Sequence, residues 1–144
     1  GPAVLDPALR RAAVAARLAE VRFAGRSLAA LLLDQSFLAG MGNYLRSEVL
    51  FEAGLAPSRR PRDLAAAQRR RLAAALLAVP RRSYRTRGIE PAHGMKADYL
   101  TDTPGAFRFR VFDRAGQPCE DCGAPVRREE WAGRRLYWCP ACQA

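Results

Sequence analysis

Hydrophobic positions along this 144-residue chain change their period near residue 88. Upstream they recur every three to four residues, the spacing that lines one face of a helix; downstream they alternate or gather around cysteine. Val14, Leu18 and Val21 fall at i, i+4 and i+7. Asp6-Pro7 ahead of them offers a capping carboxylate followed by a proline at the first helical position, so the pattern predicts a helix from 7 to about 22. Phe23-Ala24-Gly25-Arg26 breaks it, and Ser27 can cap a second helix through Leu28, Leu31 and Leu32 to about residue 38. A third helical run, 45–51, follows Gly40-Met41-Gly42-Asn43-Tyr44, and Gly54 is placed to end it in the left-handed conformation. Asp63 reads as the cap of a fourth helix with Leu64, Leu72, Leu76 and Val79 as its core stripe and Pro80 as its stop.

Residues 89–105 read as a loop, punctuated by Pro91, Gly94, Pro104 and Gly105. Phe107-Arg108-Phe109-Arg110-Val111-Phe112 alternates strictly enough to be a strand, and 126–131 and 134–138 flank Ala132-Gly133 as a β-hairpin. The predicted fold class is a mainly α-helical domain followed by a small β-hairpin module. Its boundaries are 3–88 for the helical domain, 89–112 for the loop and connecting strand, and 113–144 for the hairpin module. Gly1-Pro2 (residues 1–2) reads as the remnant of a protease cleavage, which would make the chain a piece of a larger protein.

Cysteine usage adds chemistry to the hairpin. All four cysteines lie there as C-x2-C-x16-C-x2-C: Cys119, Cys122, Cys139 and Cys142. Two Cys-x-x-Cys turns can each supply half of a tetrahedral thiolate cage, and four thiolates leave no open position, so one structural zinc ion is expected, with iron the remaining alternative. Two disulfides would be a poor framework for knuckles at the ends of a hairpin, and nothing points to secretion. The metal would close the hairpin base and leave a tip carrying Arg134 and Arg135. One loop and one strand join this module to the helices, which leaves their relative angle unfixed.

Charge narrows the partners. With 24 basic and 14 acidic residues the formal charge is +10, which favours a polyanion such as nucleic acid. No apolar run approaches membrane-spanning length and no signal-peptide pattern is present, so a cytoplasmic location without a membrane partner is expected. The Gly42-Asn43 turn would place free N–H groups and a positive helix end where a phosphate can sit. Glu48, inside an apolar helix, reads as a brace for neighbouring N–H groups and not as an acid or base. Arg81-Arg82-Ser83-Tyr84-Arg85-Thr86-Arg87-Gly88 can bind phosphates or be a solvated helix exit. His93, the sole histidine, has no nucleophile or carboxylate motif around it.

The order of parts carries a resemblance. Leu33-Asp34-Gln35-Ser36-Phe37-Leu38-Ala39-Gly40-Met41-Gly42-Asn43-Tyr44, then Ser83-Tyr84 with Thr86-Arg87-Gly88, then a four-cysteine finger ending Arg134-Arg135-Leu136-Tyr137-Trp138-Cys139-Pro140-Ala141-Cys142-Gln143, resembles the C-terminal half of the formamidopyrimidine-DNA glycosylase and endonuclease VIII family. The Ser-Tyr-x-Thr-Arg-Gly stretch and the Tyr-Trp-Cys-Pro ending look more like endonuclease VIII. The resemblance implies a helix-two-turn-helix domain and a zinc finger from a bifunctional DNA glycosylase and abasic-site lyase, working by β,δ-elimination on oxidised bases, in particular pyrimidines. It implies a monomer in the bacterial cytoplasm that binds duplex DNA with a damaged base or abasic site. Asn43 would donate to a backbone phosphate and Arg134 would grip phosphates from the finger tip, with Gly42, Arg87 and Arg135 completing the DNA-binding set. The family's nucleophile is an N-terminal proline followed by glutamate. Here Gly1-Pro2-Ala3 makes the Pro2 nitrogen an amide, and these 144 residues are expected not to include the β-sandwich domain that carries the nucleophile. The fragment is therefore expected to hold no catalytic residue and to bind DNA without chemistry. The competing readings are a non-enzymatic zinc-ribbon module for nucleic acid and a protein-interaction scaffold.

Overall fold

The structure, a computed structural model, describes residues 1–86, 89–90 and 105–144. Five α-helices, Arg11–Leu18 (α1), Val21–Ala24 (α2), Leu28–Leu31 (α3), Asn43–Ala53 (α4) and Ala66–Thr86 (α5), are followed by strands Ile89–Glu90 (β1), Phe107–Arg108 (β2), Arg127–Trp131 (β3) and Arg134–Trp138 (β4). β1 and β2 pair in parallel, and β3 and β4 form an antiparallel hairpin in which Trp131 faces Arg134 and Arg127 faces Trp138. Val14, Leu18, Leu28, Leu31, Leu50, Leu72 and Leu76 are fully buried in one core spanning the helices. Each such leucine contributes about 2 kcal/mol by leaving water.

The first predicted helix is two. Asp6 caps only a turn, its Oδ1 accepting the Ala8 N–H at 2.9 Å, and α1 starts later, at Arg11. The Arg81 guanidinium fastens this leading turn to α5 by donating to the carbonyls of Val4, Asp6 and Leu9 at 3.1, 2.9 and 2.8 Å. The chain breaks again at Ala19-Glu20, and Val21, expected in the buried stripe, is 94% exposed because α2 restarts there in a new phase. Pro2 packs into the fold: its carbonyl accepts the Ala39 N–H at 2.8 Å, and Ala3 bridges Ala39.

Ser27 does cap α3, its Oγ accepting the Ala30 N–H at 3.3 Å. That helix ends at Leu31 instead of continuing to 38, because Asp34 captures the chain in a turn. Its Oδ1 accepts the Ser36 N–H at 2.8 Å and the Ser36 hydroxyl at 2.6 Å, and its Oδ2 pairs with Arg26. The Ser36 donors first, then Arg26, hold the Asp34 carboxyl down at about 2.

Gly54 ends α4 at φ 72° as expected, a conformation that costs a side-chain-bearing residue about 1 kcal/mol or more. Asp63 lies in a 3-10 turn, Pro61–Asp63, and does not cap α5; the Gln68 side chain accepts the Ala65 N–H at 2.8 Å instead. Nor does Pro80 stop that helix. Val79, Pro80 and Ser83 are buried, so packing carries α5 through the proline to Thr86. The predicted 107–112 strand shrinks to β2, and the next residues form a strap over α4. Arg87, Gly88, Pro91, His93, Gly94 and Pro104 lie outside the described residues.

Candidate nucleic-acid interface and metal centre

The hairpin base converges on sulfur. Cys119, Cys122, Cys139 and Cys142 place their Sγ atoms within 4.8 Å of one another, with Cys122–Cys139 at 3.5 Å and Cys119–Cys142 at 3.8 Å. Bonds of about 2.3 Å to one tetrahedral ion put thiolates about 3.8 Å apart, so the donor set fits a four-thiolate metal site. Thiols this close resist ionising together: the Cys142 thiol is pushed up, first by the Cys122 sulfur and then by burial, while the Ala124 N–H pulls Cys122 down. The second knuckle is tied to the helices by Gln143, whose Oε1 accepts the Cys139 N–H at 2.8 Å and whose Nε2 donates to the Leu55 carbonyl at 3.0 Å.

Three consecutive side chains of α4 join the two parts. Successive helix residues point about 100° apart, so they reach three different targets. Glu48 takes the strap: Oε1 accepts the Arg110 N–H at 2.6 Å, and Oε2 accepts those of Val111 and Phe112 at 3.0 and 2.9 Å. Burial pushes its carboxyl up, with the three N–H donors pulling against that. Ser47 Oγ accepts the Tyr137 N–H of β4 at 3.0 Å. Arg46, fully buried, takes the hairpin tip: Nη1 donates to the carbonyls of Ala29 (2.8 Å) and Trp131 (3.1 Å), and Nη2 to Asn43 Oδ1 at 2.9 Å and to the carbonyls of Arg134 and Arg135, both at 3.3 Å. Burial first, and the nearby Arg134 charge second, bring the guanidinium down to about 10.

At the tip Ala132 (φ 55°) and Gly133 (φ 74°) make the turn that the sequence marks, with both Arg134 and Arg135 side chains exposed. Gly42 precedes α4 in an extended conformation and no side chain caps the helix. Asn43, its first residue, donates Nδ2–H to the Arg135 carbonyl at 2.9 Å. The structure thus brings Gly42, Asn43, Arg134 and Arg135 together at one edge, while Arg87 is not described. The finger angle that connectivity left free is set by these contacts. Sequence reasoning missed Arg46; the signal was a second charge beside Glu48 inside Tyr44-Leu45-Arg46-Ser47-Glu48-Val49-Leu50.

A helical body entered through glycine turns, with a four-cysteine hairpin latched to its α4, defines the class: a helix-two-turn-helix unit with a zinc-finger-type module. Residues 1–91 match the formamidopyrimidine-DNA glycosylase H2TH domain, and the chain belongs to that family. It is 48% identical over 143 residues to Endonuclease 8 of Escherichia coli O17:K52:H18 (strain UMN026 / ExPEC), a match covering 99% of this chain and 52% of that protein. The crystal structure of the MutM (Fpg) protein from Thermus thermophilus superposes with a TM-score of 0.78 at 35% identity, over 99% of this chain and 53% of that one. Lactococcus lactis Fpg in complex with DNA containing an abasic site gives 0.76 at 22% identity, over 99% of this chain and 51% of that one, a likeness of fold alone. The chain spans about half the length of these relatives.

Proposed function

We propose that this chain is the DNA-binding half of a base-excision repair glycosylase and abasic-site lyase of the endonuclease VIII type, acting on oxidised pyrimidines in the bacterial cytoplasm. It grips duplex DNA backbone as a monomer and performs no chemistry itself. One observation carries the reading: Asn43, at the uncapped start of α4, is bonded through the Arg135 carbonyl to the tip that bears Arg134. Two ligands suited to phosphate, a helix N-terminus and an exposed guanidinium, are thereby held side by side on a chain of charge +10. Gly42 lets a backbone approach, and Arg135 and Arg87 add charge. One zinc ion held by the four cysteines supplies no reaction step; its closed thiolate shell fixes the hairpin base. Among the described residues no helix is long and apolar enough to cross a membrane.

The test is fluorescence anisotropy against matched duplexes, one intact and one with an abasic analogue, at two salt concentrations. Arg134→Ala should weaken both and lower the slope of log affinity against log salt by about 0.9, the share of one phosphate contact. An unchanged slope, or preference for single-stranded RNA, would overturn the reading. Borohydride with abasic DNA should trap no covalent adduct, because the Pro2 nitrogen is acylated by Gly1.

A further inference from the structure

Arg46 is an expensive way to fill a core position. Its side chain is fully buried, no carboxylate pairs with it among the described residues, and its Nε has no partner. A guanidinium taken from water without a counter-charge destabilises, and an apolar side chain of similar size would pack there at lower cost. What the fork obtains is geometry. Its two terminal nitrogens reach α3 (Ala29 carbonyl), the Asn43 amide and three carbonyls of the hairpin tip, those of Trp131, Arg134 and Arg135. A lysine, with its donors on one atom, cannot span that set. The bonds to Ser47 and Glu48 hold β4 and the strap, not the tip.

We infer that Arg46 is a positioning residue: it never meets DNA, and it fixes the register between Asn43 and the backbone of Arg134 so that both address one strand. This rests on the backbone-gripping role proposed above. Since Arg46 pins the carbonyls of Arg134 and Arg135 while leaving their side chains outside, loss of the fork leaves the tip on the single Asn43–Arg135 bond and loosens it without removing a ligand.

The experiment compares wild type, Arg46→Met, Arg46→Lys, Asn43→Ala and Arg134→Ala, with both Arg46/Arg134 double variants, by anisotropy on the abasic-analogue duplex at two salt concentrations. Metal content and far-UV circular dichroism confirm folding. Arg46→Met should keep one zinc and its helices yet bind about tenfold more weakly, and Arg46→Lys should not restore binding although it keeps the charge. Arg134→Ala should cost about tenfold in wild type and under about twofold in the Arg46→Met background, because coupled residues lose additivity. Rescue by lysine, or full additivity, overturns the inference. The wild-type chain gives an independent reading: nitrogen-15 NMR of the Arg46 guanidinium should show resolved, slowly rotating Nη groups with and without DNA, and a single averaged signal overturns the inference even if the variants do not fold. If Arg134→Ala and Asn43→Ala leave binding and its salt slope unchanged, the backbone-gripping role itself fails. If those two matter and Arg46 is additive with Arg134, only the positioning role does.

Discussion

The helical body and the finger are stabilised by different mixtures of contacts. The body is an apolar core in which α1, α4 and α5 pack around Leu18, Leu50, Leu72 and Leu76. The finger's own buried cluster is Phe51, Val111, Cys119, Val126, Tyr137 and Cys139, of which Cys119 and Cys139 belong to the metal site and Phe51 to α4. A hairpin that small cannot supply its own core, so it depends on sulfur at one end, on α4's polar side chains, and on Leu136, Trp131 and Trp138, which it packs into the core of the body.

That contrast is broken most severely at the sulfurs. Cys139→Ser should abolish metal binding, worth on the order of 10 kcal/mol to small zinc modules, and erase the near-ultraviolet dichroism of Trp131 and Trp138. The far-ultraviolet helix signal should stay; if it falls too, the body is not independent of the finger. Next is the joint. Glu48→Gln keeps the shape but turns an amide NH2 toward N–H donors of the strap, and should lower urea-unfolding stability by about 3 kcal/mol.

The tip turn is a smaller target. Nothing lies within 4 Å of a Cβ built on Gly133, so Gly133→Ala tests backbone strain alone, with an expected loss of about 1 kcal/mol in the same titration. The weakest effect lies wholly in the body. The Asp34 carboxyl sits lower in the folded chain than its ordinary 3.8, so its stabilisation is complete above about pH 4 and disappears as pH falls toward about 2. Asp34→Asn should flatten that acid limb and leave DNA binding as it was; altered binding would mean the body's turns feed into the interface.

Legibility followed the same divide between local rules and long-range ones. Gly54 and Ala132-Gly133 were readable because left-handed turns favour particular residues, and Glu48 because a carboxylate in an apolar helix needs donors. The cysteine spacing dictated a cage whatever surrounded it. Val21, Pro80 and Phe109 misled. Periodicity carried the stripe to Val21, but the chain breaks one residue earlier; Pro80 is a stop in isolation, yet burial on both sides of it sustains α5. Phe109 and Val111 alternate like a strand, although what orders them is a carboxylate on α4 sixty-two and sixty-three positions away from the N–H groups of Arg110 and Val111. Arg46 was hidden for the same reason, its acceptors lying as far off as Arg135.

α4 also acts as a ruler. Its eleven residues span about 16 Å at 1.5 Å each, and the five residues of β4 span about 17 Å at 3.4 Å each. The helix start is bonded to the tip at Arg135, and the loop after its end is bonded to the base at Gln143 and Ala144. Insertion of one residue in either element would put its two attachments out of register with each other, turning the helix by about 100° or flipping the strand's faces. Length variation among related proteins should therefore be excluded from these two segments.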